Sequence, residues 1–265
     1  MKKIKIFIFI IISVFCANTS FSHTLWINLT DYNPKFYEKF GAFTKSYFGW
    51  GHKYPVDGFI KAENLVEFTL TGKDGKKTDI ETSQGGFLAS EINLKNQGTY
   101  WVGAVKKPGF YTMYEKNGKI MHKSGSMEGL EGVILSTYFQ EFSKALINTG
   151  IYDHETLISP LNHKIEIVPL TNPTELKEGD ILKVKVLFEG KPEKFIQVLG
   201  TYNGFSNKDD FAFATLTGID GIAEIKILKK GNQLLKVHKK AAPKKEFEGK
   251  CQHESYKATL SFSIN

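Results

Sequence analysis

Along most of the chain, apolar and polar residues change places every second position, in short runs broken by glycine, asparagine and aspartate. "HTLWINL", His23 to Leu29, is a partly alternating strand carrying Leu25, Trp26, Ile27 and Leu29. Val66 to Leu70 is another, running into an Asp74-Gly75 turn. Tyr100 to Val105 and Phe110 to Met113 read as a strand pair separated by Lys-Lys-Pro-Gly. In "MYEKNGKIM" the Asn117-Gly118 step predicts a hairpin, because a two-residue hairpin turn needs positive φ at both central positions.

The period then changes. Val133, Leu135, Tyr138, Phe139, Phe142 and Leu146 fall at helical spacing, which predicts one helix over Leu130–Thr149 ending at Gly150. Tyr152 to Pro160 reads as a linker. From His163 a second β block begins, with an alternating "HKIEIVPL", a strand at Ile181–Phe188, a turn at Glu189–Pro192 and a further hairpin closed by Asp220-Gly221. "NQLLKVHKKA" and the alternating "SYKATLSFSI" end the chain. The fold class expected is mainly β, two Ig-like β-sandwich modules joined by a short helical or linker segment. The divisions are 1–22 as a leader, 23–160 as a β-rich domain with a helix at its C-terminal end, and 161–265 as an Ig-like sandwich.

The first 22 residues change the picture of location. Lys2, Lys3 and Lys5 precede an apolar run from Ile6 to Phe15, and the small residues Ser20 and Ser22 stand at minus three and minus one of a cut before His23. The run is shorter than the roughly 20 apolar residues of a membrane span. A cleaved, exported protein is therefore expected. Of two cysteines, Cys16 would leave with the leader and Cys251 would remain, so no internal disulfide is possible. Export without disulfides suits a bacterial periplasm. The formal charge of +7 includes the three leader lysines, so the chain from His23 onward carries +4. Such a modest surplus does not argue for nucleic acid as a partner. With 265 residues, 41% of them hydrophobic, the chain can bury a substantial core.

Histidine is the residue type through which chemistry enters, and imidazole suits nickel, cobalt, copper and zinc. A cut before His23 would place an α-amine and an imidazole on one residue, able to chelate one metal, and such an amine titrates at about 7.7 to 8.0. His52 lies in "GWGHKYP", where Gly49 and Gly51 permit unusual backbone angles or close approach of a ligand. His122, beside Met121 and near Met127 and Glu128, is a softer candidate. Cys251 and His253 form an i, i+2 pair that would bind zinc or copper in an extended strand. His154 and His163 read as linker and strand-start residues. No HExxH, G-x-S-x-G or Gly-Lys-Ser/Thr phosphate loop is present, so no enzyme is expected. Asp209-Asp210 reads as a turn rather than a catalytic carboxylate pair.

Several stretches together resemble the DUF4198 family, also described as a periplasmic component associated with nickel and cobalt uptake. They are "IEIVPLTNP" (Ile165–Pro173), "LKEGDILKVKVLFEGKP" (Leu176–Pro192), "TGIDGIAEIKI" (Thr217–Ile227), "GNQLLKVHKK" (Gly231–Lys240) and "YKATLSF" (Tyr256–Phe262). His23 with Trp26, and "FGWGHKYP" at Phe48–Pro55, are similar to the family's N-terminal elements. His238, an outward residue among lysines by strand alternation, becomes a candidate ligand through its place in one of these stretches. The resemblance implies a periplasmic metal-binding accessory that captures a divalent metal at His23, His52 and His238, nickel or cobalt before copper or zinc. Its partner would be a membrane or outer-membrane transporter component. The alternatives are a copper-dependent oxidative enzyme with an N-terminal histidine site, and a structural or adhesive β-sandwich module.

Overall fold

The computed structural model describes residues 23–265, so the leader expected over 1–22 lies outside the described residues. From N- to C-terminus the strands are β1 (Thr24–Leu29), β2 (Ala42–Gly51), β3 (Leu65–Thr71), β4 (Lys77–Asp79), β5 (Ser90–Leu94), β6 (Gly98–Lys116), β7 (Lys119–Lys123) and β8 (Val133–Thr149). A short helix, α1 (His154–Ile158), is capped by the Asp153 carboxylate, which accepts from the Thr156 N–H. There follow β9 (Ile165–Pro169), β10 (Ile181–Phe188), β11 (Lys191–Pro192), β12 (Gln197–Tyr202), β13 (Phe213–Leu216), β14 (Ile222–Lys226), β15 (Gly231–Ala241) and β16 (His253–Ile264). No helix among the described residues is long and apolar enough to cross a membrane.

The protein is mainly β and sandwich-like, and its described residues form three sheets. The largest has nine strands in the order β13-β12-β15-β16-β8-β6-β3-β4, with β7 attached to β6. It crosses residue 160, because β16 pairs in parallel with β8. A three-stranded sheet, β1-β2-β5, packs on one face, and a four-stranded sheet of β9, β10, β11 and β14 on the other. The large sheet is thus the shared middle layer of two sandwiches. Strand alternation sorts its residues between two cores. Trp101, Phe142, Leu146, Tyr256, Ala258 and Leu260 join the core toward β9 and β10. Val102, Ala104, Ala145 and Ile147 join the core toward β1 and β2.

Three expectations change. The helix expected over Leu130–Thr149 is the strand β8. Its segment between Phe142 and Ile147 is buried on both faces, so it lacks the alternation of a half-exposed strand, and its apolar residues fall at helical spacing by composition alone. The two strands expected on either side of Lys-Lys-Pro-Gly are one strand, β6, with an irregularity in its pairing to β8 between Lys106 and Gly109 that absorbs Pro108. The Asp220-Gly221 turn closes no hairpin. It carries the chain from β13 in the large sheet to β14 in the four-stranded sheet. The expected Asn117-Gly118 hairpin is present, with Lys116 opposite Lys119 and both turn residues at positive φ.

Candidate metal centre

The site lies where β1 begins and β2 ends. The antiparallel register sets Leu25 opposite Trp50 and Thr24 opposite Gly51. Carried one residue further, it sets His23 opposite His52, and the two imidazoles meet edge to face with centroids 4.7 Å apart. The Trp50 ring also packs edge-on against His23, at 4.4 Å. His23 itself is exposed, while His52 is half-buried.

The local fold follows from side chains that need room. The two glycines before His52 provide space for protein side chains: a Cβ on Gly49 would strike the Trp26 indole, and one on Gly51 would strike the Asp57 carboxylate. Asp57 Oδ2 accepts the His52 N–H at 2.6 Å and the Lys53 N–H at 3.1 Å, which fixes the backbone of the turn. The carbonyl of Pro55, which follows a cis peptide bond, accepts from Trp26 Nε1 and Asn28 Nδ2 at 2.9 and 3.0 Å, tying the loop to β1.

The start of β1 is held from the other side by the large sheet. Among the described residues, only one edge of β1 pairs with a strand. At the other edge, Lys257 Nζ donates to the His23 carbonyl at 2.7 Å, Thr259 Oγ1 to Leu25 O at 2.8 Å and Ser261 Oγ to Ile27 O at 2.5 Å. The Ile27 N–H donates to Ser143 Oγ at 3.0 Å. Alternate residues of β16 therefore cap alternate carbonyls of β1, satisfying a buried strand edge with side chains.

Charge surrounds the histidine pair in near balance. Trp50 Nε1 donates to Glu141 Oε2 at 3.3 Å, and Lys106 lies 3.9 Å from the other oxygen of that carboxylate. Burial pulls Lys106 below the usual lysine range, and pulls Lys257 down to about 8. Burial, then the neighbouring His52, lowers the pKa of His23, which favours the neutral, metal-ligating imidazole. The Asp209 carboxylate lies 3.0 Å from His52 Nδ1.

The other candidates have other surroundings. His238, on β15, pairs in register with Lys257 and so shares its sheet face, one strand removed from the anchor of His23. Its Nε2 is 2.9 Å from Ser255 Oγ. Burial, then Lys257, Lys236, Lys240 and His253, takes its pKa down to about 3. His253 lies on β16, and Cys251 is buried just before it, with burial raising its thiol pKa. His122 is on the exposed β7, its Nδ1 2.5 Å from Tyr111 Oη. His154 Nδ1 is 3.0 Å from Tyr152 Oη, and His163 is buried with Nε2 3.6 Å from Glu67. Among the described residues no group of three or more His, Cys, Asp and Glu side chains is arranged to hold a metal. The histidine side chains that meet there supply two imidazoles.

Sequence reasoning missed Trp50, Asp57, Lys106, Glu141 and Lys257 as neighbours of the pair. Glu141 was hidden in the stretch with helical spacing. Lys257 had a visible signal, since "YKATLSFSI" puts Lys, Thr and Ser on one face and Tyr, Ala, Leu, Phe and Ile on the other.

These features define a two-sandwich β protein with a histidine pair at the start of its first strand. The chain belongs to the DUF4198 family, a domain of unknown function whose model matches residues 20–241. No curated protein matches it. Among solved structures it is similar to the D0-D1 domain of intimin, at 13% identity and a TM-score of 0.23, covering 90% of this chain and 97% of that one. The fibronectin(III)-like modules of Clostridium thermocellum CbhA align at 9% identity and a TM-score of 0.19, over 90% and 94% of the two chains. A DUF4785 family protein from Legionella pneumophila aligns at 9% identity and a TM-score of 0.25 over 80% of this chain, which spans only 50% of that protein.

Proposed function

We propose that this chain is an exported binding protein for a divalent transition metal, which it captures and hands to a transporter component in the membrane or outer membrane. The observation that carries the reading is the meeting of His23 and His52, 4.7 Å between ring centroids, at the residue where the leader is expected to be cut. Cleavage there would turn the His23 backbone nitrogen into an amine beside its own imidazole. Amine, His23 imidazole and His52 imidazole make a three-nitrogen donor set, suited to nickel, cobalt, copper or zinc. Nickel or cobalt is the cargo favoured, from the family resemblance. The buried anchor from Lys257 to the His23 carbonyl supports the reading, because it holds the first residue in place without occupying its nitrogens. The chain's own residues bind and orient, and no bond of a substrate is broken.

The test is to purify the processed protein from the periplasm and measure its intact mass, metal content and Ni(II) affinity. The expected result is a chain starting at His23 with one M(II) bound, and a loss of affinity of at least about tenfold in both His23→Ala and His52→Ala. Unchanged affinity in both variants would refute the reading. Competition between Cu(II) and Ni(II) separates uptake from oxidative copper chemistry, since Cu(II) wins at an unselective nitrogen site.

A further inference from the structure

His52 is gripped by two carboxylates that do different things. Asp57 accepts the backbone N–H groups of His52 and Lys53 and so fixes the main chain of the turn. Asp209 reaches the ring itself, with Oδ2 3.0 Å from Nδ1. It comes from residues 203–212, the connection between β12 and β13 in the C-terminal half of the chain. The adjacent Asp210 is spent inside that loop, where it accepts from Ser206 Oγ at 3.0 Å, and Ser206 Oγ in turn accepts the Lys208 N–H at 3.0 Å. Phe211 packs under the Lys236 ammonium, and the Ala212 N–H donates to Gly200 O, so the loop is tied to the large sheet on its far side. Between the loop and the end of β2 remains a cavity of about 10 Å³, bordered by His52, Thr24, Ser206, Asp210 and Lys236. That is room for about one water molecule.

Two atoms in this arrangement are unexplained by the fold. His52 Nδ1 and Asp209 Oδ1 are both buried and neither has a hydrogen-bond partner. Carboxylate and imidazole lie 3.0 Å apart, close enough for a hydrogen bond but out of line for one. A buried polar pair left so is costly unless something else is gained. We infer that Asp209 is a positioning residue for His52: its carboxylate draws the imidazole proton to Nδ1 and leaves Nε2 as the free donor for a metal. A neutral imidazole carries one N–H, and which nitrogen carries it is set by what the other meets. Without a carboxylate at Nδ1, a histidine side chain favours the N–H on Nε2, which blocks that atom as a ligand. Metal-binding histidines are oriented by acceptors of this kind, and loss of one costs about 10- to 100-fold in affinity. The orienting carboxylate comes from the other half of the chain, so the candidate centre is completed only by the docking of the β12–β13 loop onto the N-terminal sheet.

The metal-binding part of this inference rests on the proposed function, and the orientation part stands without it. The experiment uses the processed protein, labelled with nitrogen-15, at a pH where His52 is neutral. Long-range proton–nitrogen spectra of the metal-free protein read which ring nitrogen of His52 is protonated, and Ni(II) titration reads the affinity. The wild type and Asp210→Asn are expected to carry the proton on Nδ1 and to bind alike. Asp209→Asn is expected to move the proton to Nε2 and to weaken Ni(II) binding about 10- to 100-fold, with Asp209→Glu restoring part of both. An unchanged tautomer in Asp209→Asn overturns the inference. So does a carboxylate oxygen donor in the X-ray absorption spectrum of the Ni(II)-loaded wild type that is missing from the spectrum of Asp209→Asn loaded at excess Ni(II), which would make Asp209 a ligand. The expected tautomers with no Ni(II) binding by any form would refute the proposed function and leave the positioning role standing.

Discussion

The two faces of the central strand β16 were built for different purposes. On one face Tyr256, Ala258, Leu260, Phe262 and Ile264 are buried in the core against β9 and β10. On the other, one residue along, Lys257, Thr259 and Ser261 are equally buried yet polar, and each donates to a backbone carbonyl at the start of β1. The first face is non-directional: any well-packed apolar set of the right volume would hold it. The second is directional, since only donors two residues apart can meet the alternate carbonyls of an unpaired strand edge. The contrast shows how a sandwich can fix the start of its first described strand in position. Stability comes chiefly from the apolar face, and the geometry of His23 from the polar one. The apolar side has charged exceptions: Glu254 of β16 accepts from the Tyr256 hydroxyl, and Lys144 of the neighbouring β8 has its ammonium 2.7 Å from Glu166 and 4.1 Å from the Trp101 ring centre.

Substitutions should separate these roles by size of effect. Leu260→Ala leaves a cavity in the apolar face and should cost about 4 kcal/mol in urea unfolding, while the His23–His52 contact survives in the folded fraction. A cost under about 1 kcal/mol would mean that this face is not the main source of stability.

The next effect is one of pH. His238, on the polar face, is held neutral down to about 3 by burial and its lysine neighbours. The unfolded chain takes up its proton near the ordinary value of 6.5, so the unfolded state binds more protons between these limits. Stability contributed by neutral His238 is therefore whole above pH 6.5 and is lost as pH falls toward 3. By pH 4 the loss should approach about 3 kcal/mol, and His238→Leu should remove it. The same acid slope in that variant would assign the loss to other groups. Smaller again, Thr259→Val strips a donor from Leu25 O and a partner from Ser143 Oγ, and should cost about 1 to 2 kcal/mol in the same assay. No cost would mean that the polar ladder does not hold β1. Least of all, Glu91→Gln breaks an exposed pair with Lys45 on the outer sheet, and should change stability by less than about 0.5 kcal/mol.

Much of the fold was legible in the residues. Alternation marked β1, β9, β10 and β16, and the Asn117-Gly118 turn placed a hairpin correctly. The failures share a cause. β8 and β6 lie in the middle of a sheet with a layer on each side, so for much of their length both faces are covered and the period-2 signal is erased. That also concealed the shared sheet, because a chain read as two blocks gives no hint that β16 returns to run parallel beside β8. The histidine pair was half legible: His23 and His52 stood out singly, but their opposition depends on a register that only the pairing of Leu25 with Trp50 reveals. Glu141 and Asp209 are brought to the pair by long-range topology, from 89 and 157 positions away from His52 as the numbering runs, and local pattern holds no trace of that.

The most direct measurement is Ni(II) affinity for two otherwise identical proteins, one beginning at His23 and one carrying a single extra glycine before it. The added residue leaves both imidazoles in place and replaces the His23 amine by an amide. Binding that is tight in the first and weaker by at least about 100-fold in the second is the result expected if amine and imidazoles act together. Equal affinity in the two would show that the chain's first nitrogen is no ligand.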